Sequence, residues 1–407
     1  MSAECIAESI PAGYKQTEVG VIPEDWKVQP IGDLVSISVG RDLKEENYST
    51  YQDDIFKYPV FSNTVTNEGL YGFYNISEYN GESLTIVGRG VGLGIAFTRR
   101  GSFGAIGRLL VLFPVKNVDA NFLTEYINHR VKIFTESGGI PQLTGISIAK
   151  YRIPVPSTKD EQEAIAQALT DADALIESLE QLITKKRQIK QGAMQELLTG
   201  KKRLPGFSGE WIDFSLRECL LGNPDYGINA PGVPYSGNLP TYLRITDIDD
   251  DGRFTPDNQI AVDHPLAMNY LLDKHEIVFA RTGASVGKTY LYNIKDGELV
   301  FAGFLIRAKI NCEKLCPEFF AAFTKTARYW NWVRMMSMRS GQPGINGNEF
   351  SGLDLYLPPT IEEQNAIAAI LCDMDAELSL LEEKLAKTRK LKQGMMQELL
   401  TGRIRLV

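Results

Sequence analysis

One short string in the second half of the sequence has the residue types of a phosphate-binding loop. Phe279–Asn293 reads FARTGASVGKTYLYN and contains Gly283, Gly287, Lys288 and Thr289 in nearly the order that a nucleotide-binding P-loop uses. A P-loop needs four residues between its glycines and a helix directly after its Ser or Thr. Here three residues separate the glycines, and the following Tyr-Leu-Tyr is typical of a strand. The string therefore predicts a glycine-rich turn between two strands.

Other residue types that could do chemistry do not form a recognisable catalytic or metal motif. Cys312 and Cys316 resemble half of a zinc site, but neither a second Cys pair nor a His-x-x-x-His string follows. Adenine methyltransferases hold a flipped base with an Asp/Asn-Pro-Pro-Tyr/Phe string, and the nearest strings here are NPDY (223–226) and LPPT (357–360). The acidic run 247–251 lacks the Glu-x-Lys of a nuclease, so we predict a solvated turn there. The sequence thus predicts no catalytic and no metal site.

Composition limits the class of protein further. The chain has 407 residues, a net charge of −8 and no apolar run long enough to span a bilayer. A signal-peptide pattern is missing from its first thirty residues, so we expect a cytoplasmic protein without a membrane partner.

The chain contains a duplicated segment. Lys190–Gly200 reads KQGAMQELLTG and Lys392–Gly402 reads KQGMMQELLTG, with ten of eleven positions identical. Without a gap, 160–200 and 362–402 share 23 of 41 residues. Each copy begins with a Thr three residues before a Glu, the pattern of a helix capping box, and ends at a Gly. The repeat therefore predicts two long helices of similar length.

The apolar residues of both helices follow a 4-3-4-3-4 spacing, which is typical of a coiled-coil seam. In each copy the first half is acidic and the second half basic, so antiparallel pairing would place opposite charges side by side. A charge pattern that merely suits the helix dipole is the alternative. The predicted seam consists of Ile165, Leu169, Ala172, Ile176, Leu179 and Ile183 in the first helix, and of Ile367, Leu371, Met374, Leu378, Leu381 and Leu385 in the second.

The segments outside the helices are also related to each other. Each has a strand, a Gly-rich loop and a second strand (84–97 and 276–292), then an apolar strand, a predicted helix (121–137 or 317–338) and a Gly/Pro loop. We predict an α+β protein in which two homologous mixed α/β heads are separated by two long helices that pair as an antiparallel coiled coil, with internal pseudo-two-fold symmetry. The predicted segments are an N-terminal arm (1–26), a first head (27–153), a first helical region (154–203), a second head (204–355) and a second helical region (356–407).

This organisation resembles the specificity subunit of type I restriction–modification enzymes over nearly the whole chain. The resemblance depends on the P-x-x-x-x-E-Q helix entry (156–162, 358–364) and the K-Q-G-x-M-Q-E-L-L-T-G helix exit, each present twice. It implies that each head is a target-recognition domain that reads one half of a bipartite double-stranded DNA site. It also implies that the helices set the spacer and dock two methyltransferase subunits and, in the full complex, restriction/translocase subunits. S-adenosylmethionine, ATP and Mg²⁺ would bind to those partners, and this chain would bind no cofactor.

DNA bases are read by Arg, Lys, Asn, Gln and Ser side chains on loops, while other cations bind phosphates. The net charge of −8 is unfavourable for DNA binding by the chain alone, so we expect the partners to supply many phosphate contacts. A P-loop nucleotidase, and a coiled-coil adaptor whose heads bind proteins or glycans, remain alternatives. The candidate DNA-binding residues are Arg41, Arg89, Arg99, Arg100 and Gln142 in the first head, and Arg244, Arg281, Ser285, Lys288, Arg339, Gln342 and Asn346 in the second.

Overall fold

The residues form two compact units that divide the long helices between them. The computed structural model describes residues 10–133, 142–338 and 342–406. Unit 1 consists of 1–180 and 384–407, and unit 2 consists of 181–383. Each unit therefore contains one head together with a part of each helical region.

Unit 1 is rich in short strands. Its strands are β1 (Tyr14–Thr17), β2 (Gly20–Pro23), β3 (Lys27–Pro30), β4 (Val35–Val39), β5 (Tyr48–Ser49), β6 (Tyr58–Phe61), β7 (Leu70–Tyr74), β8 (Tyr79–Asn80), β9 (Ser83–Ile86), β10 (Ala96–Arg99), β11 (Ser102–Ala105), β12 (Leu110–Pro114) and β13 (Arg152–Val155). Its helices are α1 (Ile31–Leu34), α2 (Ala120–Arg130), α3 (Gly145–Ala149) and the first part of α4 (Lys159–Leu197), with 3-10 turns at Glu45–Asn47 and Thr66–Gly69.

Two sheets and one closing strand pair build the first head. An antiparallel sheet has the order β10-β9-β12-β4, and a second sheet has the order β5-β7-β6-β11-β8, in which β11 is parallel to β6. Leu110 and Leu112 of β12 lie in the main core with Phe122 of α2, whereas the alternate Val111 packs with Phe103 in a separate cluster. The antiparallel pair β3–β13 joins the beginning and the end of the head.

Unit 2 repeats this plan with different lengths. Its strands are β14 (Ile212–Ser215), β15 (Asp225–Tyr226), β16 (Gly232–Pro234), β17 (Thr241–Leu243), β18 (Ile260–Val262), β19 (Glu276–Ala280), β20 (Thr289–Leu291), β21 (Leu299–Phe301), β22 (Leu305–Lys309) and β23 (Asp354–Leu357). Its helices are α5 (Pro317–Phe323), α6 (Ala327–Met336), α7 (Gly347–Ser351), the second part of α4 and the first part of α8 (Ile361–Leu399), with 3-10 turns at Leu216–Cys219, Ile245–Asp247, Ala267–Tyr270, Gly283–Ser285 and Ile294–Asp296.

The sheets of the second head have the orders β15-β22-β19-β20 and β16-β18-β17-β21, and β14–β23 is its closing pair. Phe279 of β19 packs on Phe350, with ring centroids 4.5 Å apart, while the alternate Val278 belongs to a second cluster. The single helix predicted over 317–338 is wrong, because Thr324 follows the end of α5 and the Thr326 side chain caps a new helix, α6. The helix predicted from 121 ends at Arg130 in the described residues.

The long helices are antiparallel, which confirms the prediction from charge. Within unit 2, Lys186 and Lys190 of α4 contact Glu377 and Asp375 of α8, so residue numbers rise along one helix as they fall along the other. Such half-exposed pairs each contribute at most about 1 kcal/mol. They therefore favour the antiparallel orientation over the parallel one but add little to the stability of the helix pair.

Unit 1 shows the same antiparallel arrangement, but here α8 supplies the basic residues and α4 the acidic ones. Arg389 and Lys392 of α8 contact Glu180 and Asp173 of α4. Burial follows the predicted 4-3 spacing in both units. Of the predicted seam residues, Ile165, Leu169, Leu179, Ile183, Ile367, Leu371 and Leu378 are buried, and Ala172, Ile176, Met374, Leu381 and Leu385 are half-buried.

The Thr of each predicted capping box has its expected contact, but the Glu side chain has a different role from the one predicted. The Thr158 hydroxyl accepts a hydrogen bond from the Glu161 N–H, as in a capping box. The Glu161 carboxylate, however, is buried and accepts hydrogen bonds from Arg405 and from the Trp26 indole instead of capping the helix. In unit 2 the Thr360 hydroxyl and Glu363 N–H repeat the first contact.

The following glutamine attaches the head to the helix in both units. The Gln162 side chain accepts a hydrogen bond from the N–H of Asp119, the residue that caps α2, at 2.9 Å. In unit 2, Gln364 accepts one from the N–H of Cys316, which precedes α5, also at 2.9 Å. Both glutamines are almost fully buried, so the Glu-Gln string orients the head helix on the long helix.

Candidate nucleic-acid interface

The glycine-rich string of the second head is a turn between β19 and β20, as predicted. The Ala280 N–H donates to the Lys288 carbonyl and the Gly287 N–H donates to the Ala280 carbonyl, both at 2.8 Å. A 3-10 turn at Gly283–Ser285 completes the loop. A strand follows the loop where a P-loop requires a helix, so the loop does not have the phosphate-binding geometry of that motif.

The first head contains the same loop between β9 and β10. The Val87 N–H donates to the Ile95 carbonyl at 2.9 Å, and the Gly94 N–H donates to the Val87 carbonyl at 2.8 Å. Val87 therefore corresponds to Ala280, and Gly88 corresponds to Arg281. The repeated backbone pattern carries different side chains in the two heads.

In each head the Gly/Pro loop pairs with the glycine-rich loop. The Leu143 N–H donates to the Gly88 carbonyl, and Arg89 forms a β-bridge with Gln142. The structure thus brings two candidate DNA-binding residues together across about fifty residues of sequence.

The second head repeats this pairing. The Ile345 N–H donates to the Arg281 carbonyl at 2.9 Å, and Gly283 donates to the Pro343 carbonyl at 3.0 Å. Gln342 is exposed, and its amide nitrogen lies beside Gly283. Arg281, Gln342 and the half-buried Ser285 therefore share one edge of this head.

Arg281 differs from Arg244 and Arg307 of the same head in having no carboxylate partner among the described residues. Its guanidinium lies 5.1 Å from the centroid of the Tyr226 ring. Its Nε is buried and has no hydrogen-bond partner. The sequence did not indicate Tyr226, because 55 residues separate it from Arg281. The rejected string NPDY supplies Tyr226, and its Asp225 binds Arg307 with contacts of 3.0 and 2.6 Å.

Several candidate residues are engaged within the protein instead. Arg99 is buried, donates to Thr85 at 3.0 Å, pairs with Glu68 and lies over Phe61, and burial lowers the pKa of its guanidinium to about 10. We assign Arg99 to the core of the first head rather than to DNA. Asn346 caps α7 by accepting the Glu349 N–H at 2.9 Å.

The acidic run of the second head ends in a turn with Asp250 and Asp251 exposed, as the sequence predicts, but its first residue is not solvated. Asp247 is buried and binds Arg244 with contacts of 3.0 and 2.7 Å. Asp250 pairs with Lys288 at 2.7 Å, and this hydrogen bond lowers the pKa of the Asp250 carboxyl. These contacts occupy two more candidates, Arg244 and Lys288.

The remaining candidates lie on the surface of the first head or outside the described residues. Arg41 and Arg89 are exposed, and Arg100 lies 3.9 Å from Glu82. Arg339 lies outside the described residues. Within 10–133, 142–338 and 342–406, no group of three or more His, Cys, Asp or Glu side chains could hold a metal ion, and no helix is long and apolar enough to cross a membrane.

A family model described as the type I restriction modification DNA specificity domain matches residues 23–191 and 245–389, more than half of the chain. The chain belongs to this family. The type I restriction enzyme MjaVIII specificity subunit of Methanocaldococcus jannaschii is 23% identical over 420 residues that cover 95% of this chain and 94% of that protein. The type I restriction enzyme EcoKI specificity subunit of Escherichia coli K12 is also 23% identical, over 95% of this chain and 90% of that protein.

A solved structure of the DNA specificity family has the same fold. The crystal structure of the type I restriction–modification system S subunit from M. genitalium aligns with a TM-score of 0.64 and 17% sequence identity, over 92% of this chain and 96% of that chain. The α+β fold with two sheet-rich heads and paired long helices is therefore confirmed.

Proposed function

We propose that this protein is the DNA-recognition subunit of a type I restriction–modification enzyme and that each head reads one half of a bipartite double-stranded DNA site. The observation that carries the proposal is the repeated loop frame. The same backbone hydrogen bonds hold 87–95 and 280–288, yet the frame presents Gly88 and Arg89 in one head and Arg281 and Thr282 in the other. A duplicated frame with different side chains suits a protein that reads two different half-sites.

In this proposal the long helices determine the DNA spacer and dock the partner subunits. Within unit 2, Leu182 and Ile189 of α4 lie seven residues apart and are 39% and 48% exposed. An exposed apolar stripe at heptad spacing favours a contact with a partner helix. The partners would be two methyltransferase subunits, with restriction/translocase subunits in the full complex. They would bind S-adenosylmethionine, ATP and Mg²⁺, and this chain would perform no catalytic step.

Exchange of one head tests the proposal. Residues 27–155 include both strands of the closing pair, so they can be replaced as one piece by the head of a relative. We expect the complex assembled with cognate methyltransferase subunits to methylate a site in which one half has changed and the other half is intact. Sequencing of methylated bases across a genome measures this result. A change in both halves, or in neither, would show that the heads do not read separately.

Lengthening both helices tests their role as a spacer. The turn after α4 is unsuitable for insertion, because Leu198 is buried and Arg203 binds Glu363. We would insert three heptads after Glu180 and three after Glu383. Twenty-one residues add about 31 Å, nearly one turn of B-DNA. We expect both half-sites to be retained with about nine more base pairs between them, as measured by selection from DNA with varied spacers.

The matched control inserts the same residues after Glu180 alone. This insertion would displace Lys186 and Lys190 from their acidic partners on α8, so we expect loss of DNA binding. If the doubly extended protein kept its original spacer preference, the helices would not determine spacer length.

A further inference from the structure

The backbone at Arg281 is fixed from two sides. Arg281 directly follows β19, and its N–H donates to the Phe304 carbonyl at 3.1 Å. Its carbonyl accepts the Ile345 N–H at 2.9 Å. The loops that carry Phe304 and Ile345 therefore set the position from which the Arg281 side chain extends.

The guanidinium of Arg281 contacts an aromatic ring instead of a carboxylate. Its guanidinium lies 5.1 Å from the Tyr226 ring centroid, and the Tyr226 hydroxyl accepts a hydrogen bond from the Gly347 N–H at 3.2 Å. A cation–π contact of this kind restrains the position of a guanidinium and leaves its terminal N–H groups free to donate. Tyr226 thus orients Arg281 without satisfying its hydrogen bonds.

The unsatisfied donors distinguish Arg281 from structural arginines. Among the described residues, no hydrogen bond or ion pair satisfies its guanidinium, and the Nε is buried without a partner. By contrast, Arg307 in the same head binds Asp225 and Glu276, and Arg244 binds Asp247. An unpaired buried N–H lowers stability, so this arrangement is rare for an arginine with a purely structural role.

We propose that Arg281 reads a guanine in the half-site of the second head, with its guanidinium donating to O6 and N7 of that base. This assignment depends on the function proposed above. A flat guanidinium with two free donors matches the two adjacent acceptors that guanine presents in the major groove. Tyr226 is a positioning residue that restrains the position of the guanidinium.

The first head cannot read a base in this way. Its corresponding residue is Gly88, where a Cβ atom would lie 3.1 Å from the Leu143 carbonyl oxygen and 3.2 Å from the Arg108 carbonyl oxygen. Its arginine is one residue further along, at Arg89, and consecutive side chains of extended backbone point to opposite faces. This mode of guanine recognition is therefore confined to the second head.

The test uses the complex of the full chain with its cognate methyltransferase subunits and a DNA library in which each half-site is randomised separately. We expect Arg281→Ala to reduce the preference for guanine at one position by about ten- to a hundredfold and to leave the other half-site unchanged. Tyr226→Leu should relax the same position more weakly, while Tyr226→Phe should retain the preference. Arg217→Ala, at an exposed arginine of the same head, serves as the control.

The outcomes separate the alternatives. Uniform weakening of all sequences, with a salt dependence shallower by about one unit, would identify a phosphate contact and overturn the guanine assignment. An unchanged sequence preference in Arg281→Ala would also overturn it. If the wild-type complex showed no bipartite preference, the proposed function itself would fail, and the assignment of Arg281 would fail with it.

Discussion

Replacement of Arg203 by Met is expected to destabilise unit 2 by about 3 kcal/mol. Arg203 donates to both carboxylate oxygens of Glu363, at 2.6 and 2.7 Å, and the Glu363 side chain is 1% exposed. Removal of one partner leaves a buried carboxylate without its counter-charge, and this loss costs more than the pair contributed. Urea unfolding followed by hydrogen exchange, resolved by peptide, measures the effect in each unit.

Two further variants make this prediction specific. Arg203→Met combined with Glu363→Met should recover most of the lost free energy of unfolding, because no unpaired charge remains. Arg405→Met also removes two contacts with Asp25, but Asp25 is exposed and Glu161 keeps the hydrogen bond from the Trp26 indole at 3.2 Å, so we expect a smaller cost in unit 1. A double variant less stable than Arg203→Met would contradict the explanation.

Gly287→Ala is expected to destabilise unit 2 by about 2–4 kcal/mol. Gly287 has a φ of +88°, which is unfavourable for alanine, and an added Cβ would lie 2.6 Å from a methyl carbon of Val333. Val333 belongs to α6, where a β-branched side chain has essentially one rotamer, so the clash cannot be relieved by rotation. The Tyr329 hydroxyl also donates to the Gly287 carbonyl at 2.7 Å and holds the loop on this helix.

Gly94→Ala is the matched variant in the first head. Gly94 has nearly the same φ, +89°, but its added Cβ would meet the terminal carbon of Ile133, which can rotate away. We therefore expect a cost of about 1 kcal/mol, mainly from the backbone. Equal costs for the two substitutions in thermal unfolding would show that packing against α6 is unimportant. A larger cost at Gly287 would show that packing against α6 requires a glycine at this position, so no phosphate-binding role is needed to account for it.

The helical part of the fold could be predicted from the sequence because its signals are local and duplicated. Heptad spacing and charge order are properties of neighbouring residues. Each of the two helices is 39 residues long and nearly coincides with one copy of the repeat. The strand–turn–strand loops were predictable for the same reason. The break between α5 and α6 was missed, since Thr324 and Thr326 carry no strong stop signal in the sequence.

The environments of individual arginines could not be predicted. Arg99, Arg244 and Arg281 are alike in sequence, yet one is buried, one binds a carboxylate and one contacts a tyrosine ring. The partners Glu68 and Tyr226 lie 31 and 55 residues away, and only the tertiary fold determines which arginine meets them. For the same reason the capping-box pattern at Glu161 concealed its contact with Arg405, which lies 244 residues further along the chain.

The closing strand pairs have a consequence for how such a protein can evolve. Because β3 pairs with β13 and β14 pairs with β23, each head enters and leaves its helical support at one place. A genetic recombination event that replaces everything between those strands disturbs one two-stranded ladder, the contacts of one glutamine and the apolar packing of the head on the long helix. The near-identical helix ends, KQGAMQELLTG and KQGMMQELLTG, also provide matching stretches where such crossovers can occur. A lineage could thereby acquire a complete, already folded head in one event, without many successive point mutations.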